Sequence, residues 1–280
     1  MKTASDIMKK PITITKNSSL FDAIKKLVEN NISRIIVKEN GNPVGILCEK
    51  DIGFYLYSDK TTRSLEQIPI DGVMKKIKFV DGSQTLKQCA SIMFENNIGS
   101  VVIGNENELQ GLITKTDIVK YFAEHYFGKH RVVDLKNPGV VSVSTENSLS
   151  ETIEKMIKNN IARIIVTNTK GKPVGIITFR DFFTITLQLG TDIDVTEPAA
   201  LSGHIRKGFL SEEGFGGVSL ARDVMTRKII SVSPDDDLAS VCQVMVDNHL
   251  NGLAVVDKKE GKTGIISKTD IIGFFCLHQF

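Results

Sequence analysis

Gly111 to Asp117 reads GLITKTD, and the same frame returns as GILCEKD at Gly45 to Asp51, GIITFRD at Gly175 to Asp181 and GIISKTD at Gly264 to Asp270. Each copy is a glycine, two apolar residues, a hydroxyl or thiol residue, two variable residues and an aspartate. An apolar run precedes each copy: RIIV, SVVI, RIIV and GLAVV in turn. Self-similarity at a fixed period marks a repeated structural unit. The aspartates fall 66, 64 and 89 residues apart, so the last interval carries roughly 24 extra residues. A unit of about 60 residues buries too little surface to offset its chain entropy, so the units are expected to pair across shared cores.

Within the first copy, Ser18 and Ser19 can cap a helix whose apolar residues Leu20, Ile24, Leu27 and Val28 share one face, ending near Asn30 and Asn31. Arg34 to Val37 is short and β-branched, ENGNP at Glu39 to Pro43 has turn chemistry, and Val44 to Leu47 makes a second strand. A further helix starts near Asp51. The order returns around Thr85 to Glu95, Leu149 to Lys158 and Asp237 to Val246, which gives four β-α-β-β-α repeats and an α/β (α+β) fold class.

The repeats alternate. The first and third share NNI, a small residue and RIIV, followed by a G-x-PVGI hairpin, whereas the second and fourth share KTDI and carry Ser100 and Gly252 where the others have Arg34 and Arg163. This pattern pairs consecutive repeats into modules at about 1–126 (repeats 3–59 and 68–126) and 131–280 (repeats 131–189 and 219–280). Between the last two repeats, residues 190–218 are rich in glycine and lack a sustained period, which reads as a connector.

Composition narrows the function. The chain has 280 residues, 41% hydrophobic and 24% charged, with a formal charge of +2, as expected of a folded globular protein without a basic footprint for nucleic acid. No apolar run reaches the length of a membrane span, and the opening MKTASDIMKKPITI has no signal-peptide pattern, so a cytoplasmic location is expected. Cys48, Cys89, Cys242 and Cys276 are far apart and the five histidines form no ligand pair, so neither a metal nor a redox motif is expected.

The recurring G-[IL]-[IL]-[ST]-x-x-D turn, the NNI-x-R strand entry and the DIM or DVM lead-in (Asp6 to Met8, Asp223 to Met225) together resemble the cystathionine-β-synthase (CBS) domain family, here as two tandem pairs of the kind called Bateman modules. The resemblance implies a regulatory protein, without catalysis or a required cofactor, that binds AMP, ADP or ATP in clefts between paired repeats. It implies ribose contacts from Asp117 and Asp270, and opposite them the strand-entry arginines Arg34 and Arg163. It also places adenine against Val73, Ile77 and Lys78 in the first module and Val224, Ile229 and Ile230 in the second.

Chemistry supports the same residues. A carboxylate can accept from both hydroxyls of a ribose diol, and Thr114, Thr116, Ser267 and Thr269 stand where helix N-termini favour a phosphate. Asp51 and Asp181 with Thr178 are weaker candidates, since their sister repeats offer Ser100 and Gly252 in place of an arginine. A capping carboxylate is the plain alternative at every one of these aspartates, and surface ion pairing is the plain alternative for the arginines.

Three other readings remain. S-adenosylmethionine is a second adenosine ligand, though an arginine would repel its sulfonium. Catalysis as in the CBS-bearing inosine-monophosphate dehydrogenases would need a barrel and a catalytic cysteine loop, which the sequence lacks. A DNA- or RNA-binding regulator would have to use GHIRKGF at Gly203 to Phe209. A sensor without an effector domain needs an effector protein as partner, and the four repeats are compatible with a single-chain disc or a homodimer.

Overall fold

The computed structural model describes residues 2–59, 61, 63–135, 140–191, 219–227, 229–257 and 262–278. Nearly all of the expected connector, GHIRKGF included, lies outside the described residues. Repeat 1 follows a short lead-in helix, α1 (Ala4–Ile7), and consists of β1 (Thr13–Thr15), α2 (Leu20–Glu29), β2 (Arg34–Glu39), β3 (Asn42–Cys48) and α3 (Glu49–Ser58). Repeat 2 consists of β4 (Phe79–Val80), α4 (Leu86–Glu95), β5 (Ser100–Asn105), β6 (Glu108–Thr114) and α5 (Lys115–His125). Repeat 3 is β7 (Ser142–Ser144), α6 (Leu149–Lys158), β8 (Arg163–Thr167), β9 (Pro173–Thr178) and α7 (Phe179–Thr191). A second lead-in, α8 (Ala221–Val224) with β10 (Thr226–Arg227), precedes repeat 4: β11 (Ser231–Val232), α9 (Leu238–Asp247), β12 (Gly252–Asp257), β13 (Lys262–Ser267) and α10 (Lys268–Leu277). In each repeat the first strand pairs parallel with the second, and the second antiparallel with the third. The β-α-β-β-α order expected from the sequence is therefore the observed one.

Local chemistry sets the helix limits. Ser19, Thr85, Ser148 and Asp237 cap the first helix of each repeat by accepting from the backbone N–H three residues on. At the other end Asn30, Asn96, Asn159 and Asn248 each donate a side-chain amide to the carbonyl four residues back. The next residue turns left-handed, with φ of 49° at Asn31, 50° at Asn97, 55° at Asn160 and 53° at His249. Asparagine tolerates that region better than most residues do, so the NNI motif is a helix terminator. In the ENGNP hairpin Asn40 (φ 51°) and Gly41 (φ 87°) are both left-handed, as a tight hairpin turn between twisted strands requires.

The chain forms two compact units, each drawn from discontinuous segments. Unit 1 contains residues 1–11, 77–140 and 229–280, and hence repeats 2 and 4; unit 2 contains residues 12–76 and 141–228, and hence repeats 1 and 3. Each module expected from the alternation, 1–126 and 131–280, contributes segments to both units. Met93, Phe122, Met245 and Phe274 belong to one continuous core in unit 1, and Leu27, Ile52, Phe179 and Phe182 to another in unit 2. These shared cores supply the burial that a single repeat of this size lacks.

Three lead-ins dock on a repeat that is not the one they introduce. Lys9 bridges Leu112 of β6, Lys75 bridges Ile46 of β3, and Thr226 pairs with Ile176 of β9, all antiparallel. The methionine just before each of these residues covers the glycine that opens the heptapeptide. A Cβ added at Gly111, Gly45 or Gly175 would lie 2.6, 2.4 or 2.3 Å from the sulfur of Met8, Met74 or Met225. In repeats 1, 2 and 3 the first glycine of the motif is thus required by close approach of a distant methionine. Gly175→Ala should destabilise the protein by about 1–3 kcal/mol through overpacking, read as a lowered thermal midpoint; an unchanged midpoint would remove this account of the glycine.

Candidate functional site

Each heptapeptide ends a strand and starts a helix, and its aspartate is the third helical residue. Asp117 Oδ2 accepts from the Thr114 N–H (2.8 Å) and hydroxyl (2.7 Å). Asp181 Oδ2 accepts from the Thr178 N–H and hydroxyl, both 2.7 Å, and Asp270 Oδ2 from the Ser267 N–H (2.7 Å) and hydroxyl (2.6 Å). In repeat 1 the Cys48 thiol donates to Asp51 Oδ2 at 2.7 Å. Asp117, Asp181 and Asp270 therefore cap through one oxygen, with the hydroxyl hydrogens of Thr114, Thr178 and Ser267 committed to that cap, and Asp51 uses the same oxygen for the Cys48 thiol. The second oxygen is what distinguishes the repeats. Asp117 Oδ1 takes Lys9 Nζ at 2.5 Å, Asp181 Oδ1 takes the Thr226 hydroxyl at 3.2 Å, and Asp270 Oδ1 has no hydrogen-bond partner among the described residues.

In unit 1 the starts of α5 and α10 meet. Lys115 Nζ donates to the Thr269 hydroxyl and Lys268 Nζ to the Thr116 hydroxyl, each at 2.9 Å. Lys268 is only 5% exposed. Both threonine oxygens act as acceptors in these bonds and keep their own O–H to donate. Two buried or half-buried cations and two helix N-termini thus converge, an arrangement that favours negative charge.

Unit 2 uses the same positions differently. Glu49, at the Lys115 position, pairs with Arg180, at the Thr269 position, at 2.6 Å, and Arg180 also donates to Asn31 and Ser33. The reciprocal position holds Phe179, 1% exposed, pressed so close to Gly53 that a Cβ there would lie 2.2 Å from the ring. An ion pair and an aromatic plug therefore occupy the junction between α3 and α7. Burial raises the Glu49 pKa despite the neighbouring Arg180 and Arg34.

The other candidates divide between the units. Phe79 faces Val102, and Ser100 faces Thr114, so Ile77 and Lys78 run alongside the start of β5 toward the Asp117 junction; Lys78 accepts from the Val102 N–H. By the same register Ile229 and Ile230 run toward the Ser267–Asp270 junction, with Ile230 38% exposed. Val73 and Val224 pack in unit 2, flanking Met74 and Met225 of the lead-ins that dock on β3 and β9. Arg34 and Arg163 open β2 and β8 in unit 2, opposite Cys48 and Thr178. Lys9, Lys115 and Lys268 were not among the residues expected to form a site. The KTD spelling shared by repeats 2 and 4 was a signal for the last two, whereas nothing local marks Lys9. Among the described residues no cluster of histidine, cysteine, aspartate and glutamate could hold a metal ion, and no helix is long and apolar enough to cross a membrane.

The CBS domain model matches residues 4–57, 68–124, 132–187 and 221–276. The chain belongs to the CBS-domain family. It is 26% identical over 290 residues to the uncharacterized protein MJ1225 of Methanocaldococcus jannaschii, covering 98% of each chain. The crystal structure of that protein superposes with a TM-score of 0.80 at 23% identity, covering 98% of this chain and 99% of the other. An uncharacterized protein from Pyrococcus horikoshii superposes with a TM-score of 0.62 at 20% identity, covering 98% and 99%. These likenesses show the four-repeat fold.

Cys48 provides a direct check on the repeat 1 junction. Burial, with the Asp51 carboxylate beside it, pushes its thiol up to about 12. Because the thiolate is the reactive form, Cys48 should resist iodoacetamide at pH 8 in the folded protein and react once the protein is unfolded. Rapid alkylation of native protein at this residue would contradict the thiol-to-carboxylate bond.

Proposed function

We propose that this chain is a non-catalytic, cytoplasmic regulatory protein that binds a phosphorylated adenosine (AMP, ADP or ATP) at Asp117 and Asp270. The observation that carries the reading is the matched pair of KTD junctions in unit 1. Each has a carboxylate fixed by its cap through Oδ2, a threonine hydroxyl still able to donate, and a lysine reaching in from the other repeat. The ribose diol is accepted chiefly through Oδ1, the phosphate lies against Thr116, Thr269 and the two lysines, and the base lies along Ile77 and Lys78 or Ile229 and Ile230. Thr114 and Ser267 support the junctions as caps, whereas Val73 and Val224 pack in unit 2. Arg34 and Arg163 open strands of unit 2 and take no part in this reading of the unit 1 junctions. Asp51 and Asp181 serve as caps, because unit 2 fills the corresponding space with Glu49, Arg180 and Phe179.

The protein MJ1225 has been described as a candidate archaeal homolog of g-AMPK, which agrees with an energy-sensing role acting through an effector protein. The lysines favour a phosphate-bearing ligand over S-adenosylmethionine, whose sulfonium they would repel. At Asp117 the ribose must displace Lys9, so binding there is coupled to the docking of the α1 lead-in, a route by which ligand shifts a population of conformations.

Calorimetry on nucleotide-stripped protein tests this. Two sites per chain are expected for AMP, ADP or ATP, with Asp117→Ala and Asp270→Ala each removing one; the absence of heat with all three nucleotides would overturn the reading. Deoxy-AMP should bind about 1–3 kcal/mol more weakly than AMP, since a carboxylate oxygen loses its donor. Lys9→Met should tighten the Asp117 site by up to about fivefold, on the scale of an ion pair whose lysine is exposed, and leave the Asp270 site unchanged.

A further inference from the structure

Unit 2 contains a cleft of about 530 Å³ at the hairpin end of repeat 1, between β1, the start of α2 and the end of β2. Arg34 and Cys48 face each other at the opposite end of the same hairpin, next to Asp51, so this cleft is separate from the heptapeptide junction. Thr13, Thr15, Ser18, Asp22, Lys26 and Lys38 line it. The ammonium groups of Lys26 and Lys38 have no hydrogen-bond or ion-pair partner among the described residues. The neighbouring Lys16 is already matched by Glu39, at 3.1 and 3.2 Å.

Repeat 3 provides an internal control. Its helix α6 and the repeat 1 helix α2 are both ten residues long, which places Lys155 at the position of Lys26. Strand register places Thr167, opposite Ser144, at the position of Lys38, opposite Thr15. In repeat 3 both side chains bond to carbonyls of β7: Lys155 Nζ donates to the Ser142 carbonyl at 2.7 Å and the Thr167 hydroxyl to the Val143 carbonyl at 3.2 Å. In repeat 1 the lysines at these two positions, Lys26 and Lys38, instead both line an open cleft. The mouth is wide at Gly41, where an added Cβ would meet nothing within 4 Å.

We propose that this cleft is a second ligand site, independent of the nucleotide reading, for the phosphate monoester of a small polyhydroxylated metabolite. The phosphate dianion sits between Lys26 and Lys38, where charge-assisted bonds are strongest. Asp22 commits Oδ2 to the Ser19 N–H and hydroxyl and so retains Oδ1 for a ligand hydroxyl. Ser18 and Thr15, whose hydroxyls lie 3.0 Å apart, and Thr13 complete the polar lining. Asp22 also disfavours a ligand that is anionic throughout.

The test is ¹⁵N chemical-shift titration of the full chain with glucose 6-phosphate, inorganic phosphate and glucose, in the Asp117→Asn, Asp270→Asn background, which keeps one oxygen for each cap and removes the second. Saturable shifts confined to residues 13–41 are expected with glucose 6-phosphate, weaker ones with inorganic phosphate and none with glucose. Lys38→Thr, which copies repeat 3, and Lys26→Met should each weaken binding at least tenfold, whereas Lys155→Met should not. Absence of saturable shifts with both phosphates, equal affinity in Lys38→Thr and Lys26→Met, or an equal loss in Lys155→Met would each overturn the proposal. Retained thermal midpoints in the variants separate loss of binding from loss of fold.

Discussion

A carboxylate at the third helical position closes each of the four strand-to-helix junctions, and much of the rest hangs on it. By drawing the N–H and hydroxyl of the preceding cap residue onto Oδ2 in repeats 2, 3 and 4, and the Cys48 thiol in repeat 1, it fixes the direction in which the helix leaves the sheet. That direction brings the helices of repeats 2 and 4 together in unit 1, and those of repeats 1 and 3 in unit 2. Removing the carboxylate would leave helix-terminal donors unpaired and loosen the packing of a repeat too small to hold itself together. Structural and binding roles of the aspartate are therefore compatible, because the cap uses one oxygen and a ligand needs the other.

The same heptapeptide meets a second constraint at its opening glycine. Met8, Met74 and Met225 each arrive from a lead-in that introduces a different repeat, and each requires a residue without a side chain beneath it. This exchange of lead-ins ties distant parts of the sequence into one unit. It also carries Lys9 to Asp117 and Thr226 to Asp181, so the state of a carboxylate in one repeat depends on a segment that precedes another.

Divergence at two helical positions then gives the units different characters. Lys-Thr in repeats 2 and 4 yields two crossed lysine-to-threonine bonds and a cationic, hydroxyl-bearing junction. Glu-Lys facing Phe-Arg in repeats 1 and 3 yields one ion pair and one buried ring. An unpaired buried charge is costly, whereas a ring packed on glycine and a matched ion pair are self-sufficient. The chain thus keeps one repeat architecture while concentrating its candidate anion chemistry in unit 1.

The four-repeat architecture, the helix limits and the candidate aspartates were legible in the sequence because they rest on local chemistry. Caps, left-handed asparagines, hairpin turns and hydrophobic period act over a few residues, and a fourfold repeat makes each signal visible in register. What tertiary structure alone decided is which side chain reaches each aspartate's free oxygen, which repeats share a core, and why the motif's first residue is glycine. Lys9 lies 108 residues before Asp117, and no local pattern encodes a contact set by the docking of a distant segment. The open cleft of repeat 1 has the same origin: Lys26 and Lys155 occupy equivalent positions in similar helices, and only the packed structure shows Lys155 bonded to a β7 carbonyl and the Lys26 ammonium with no partner among the described residues.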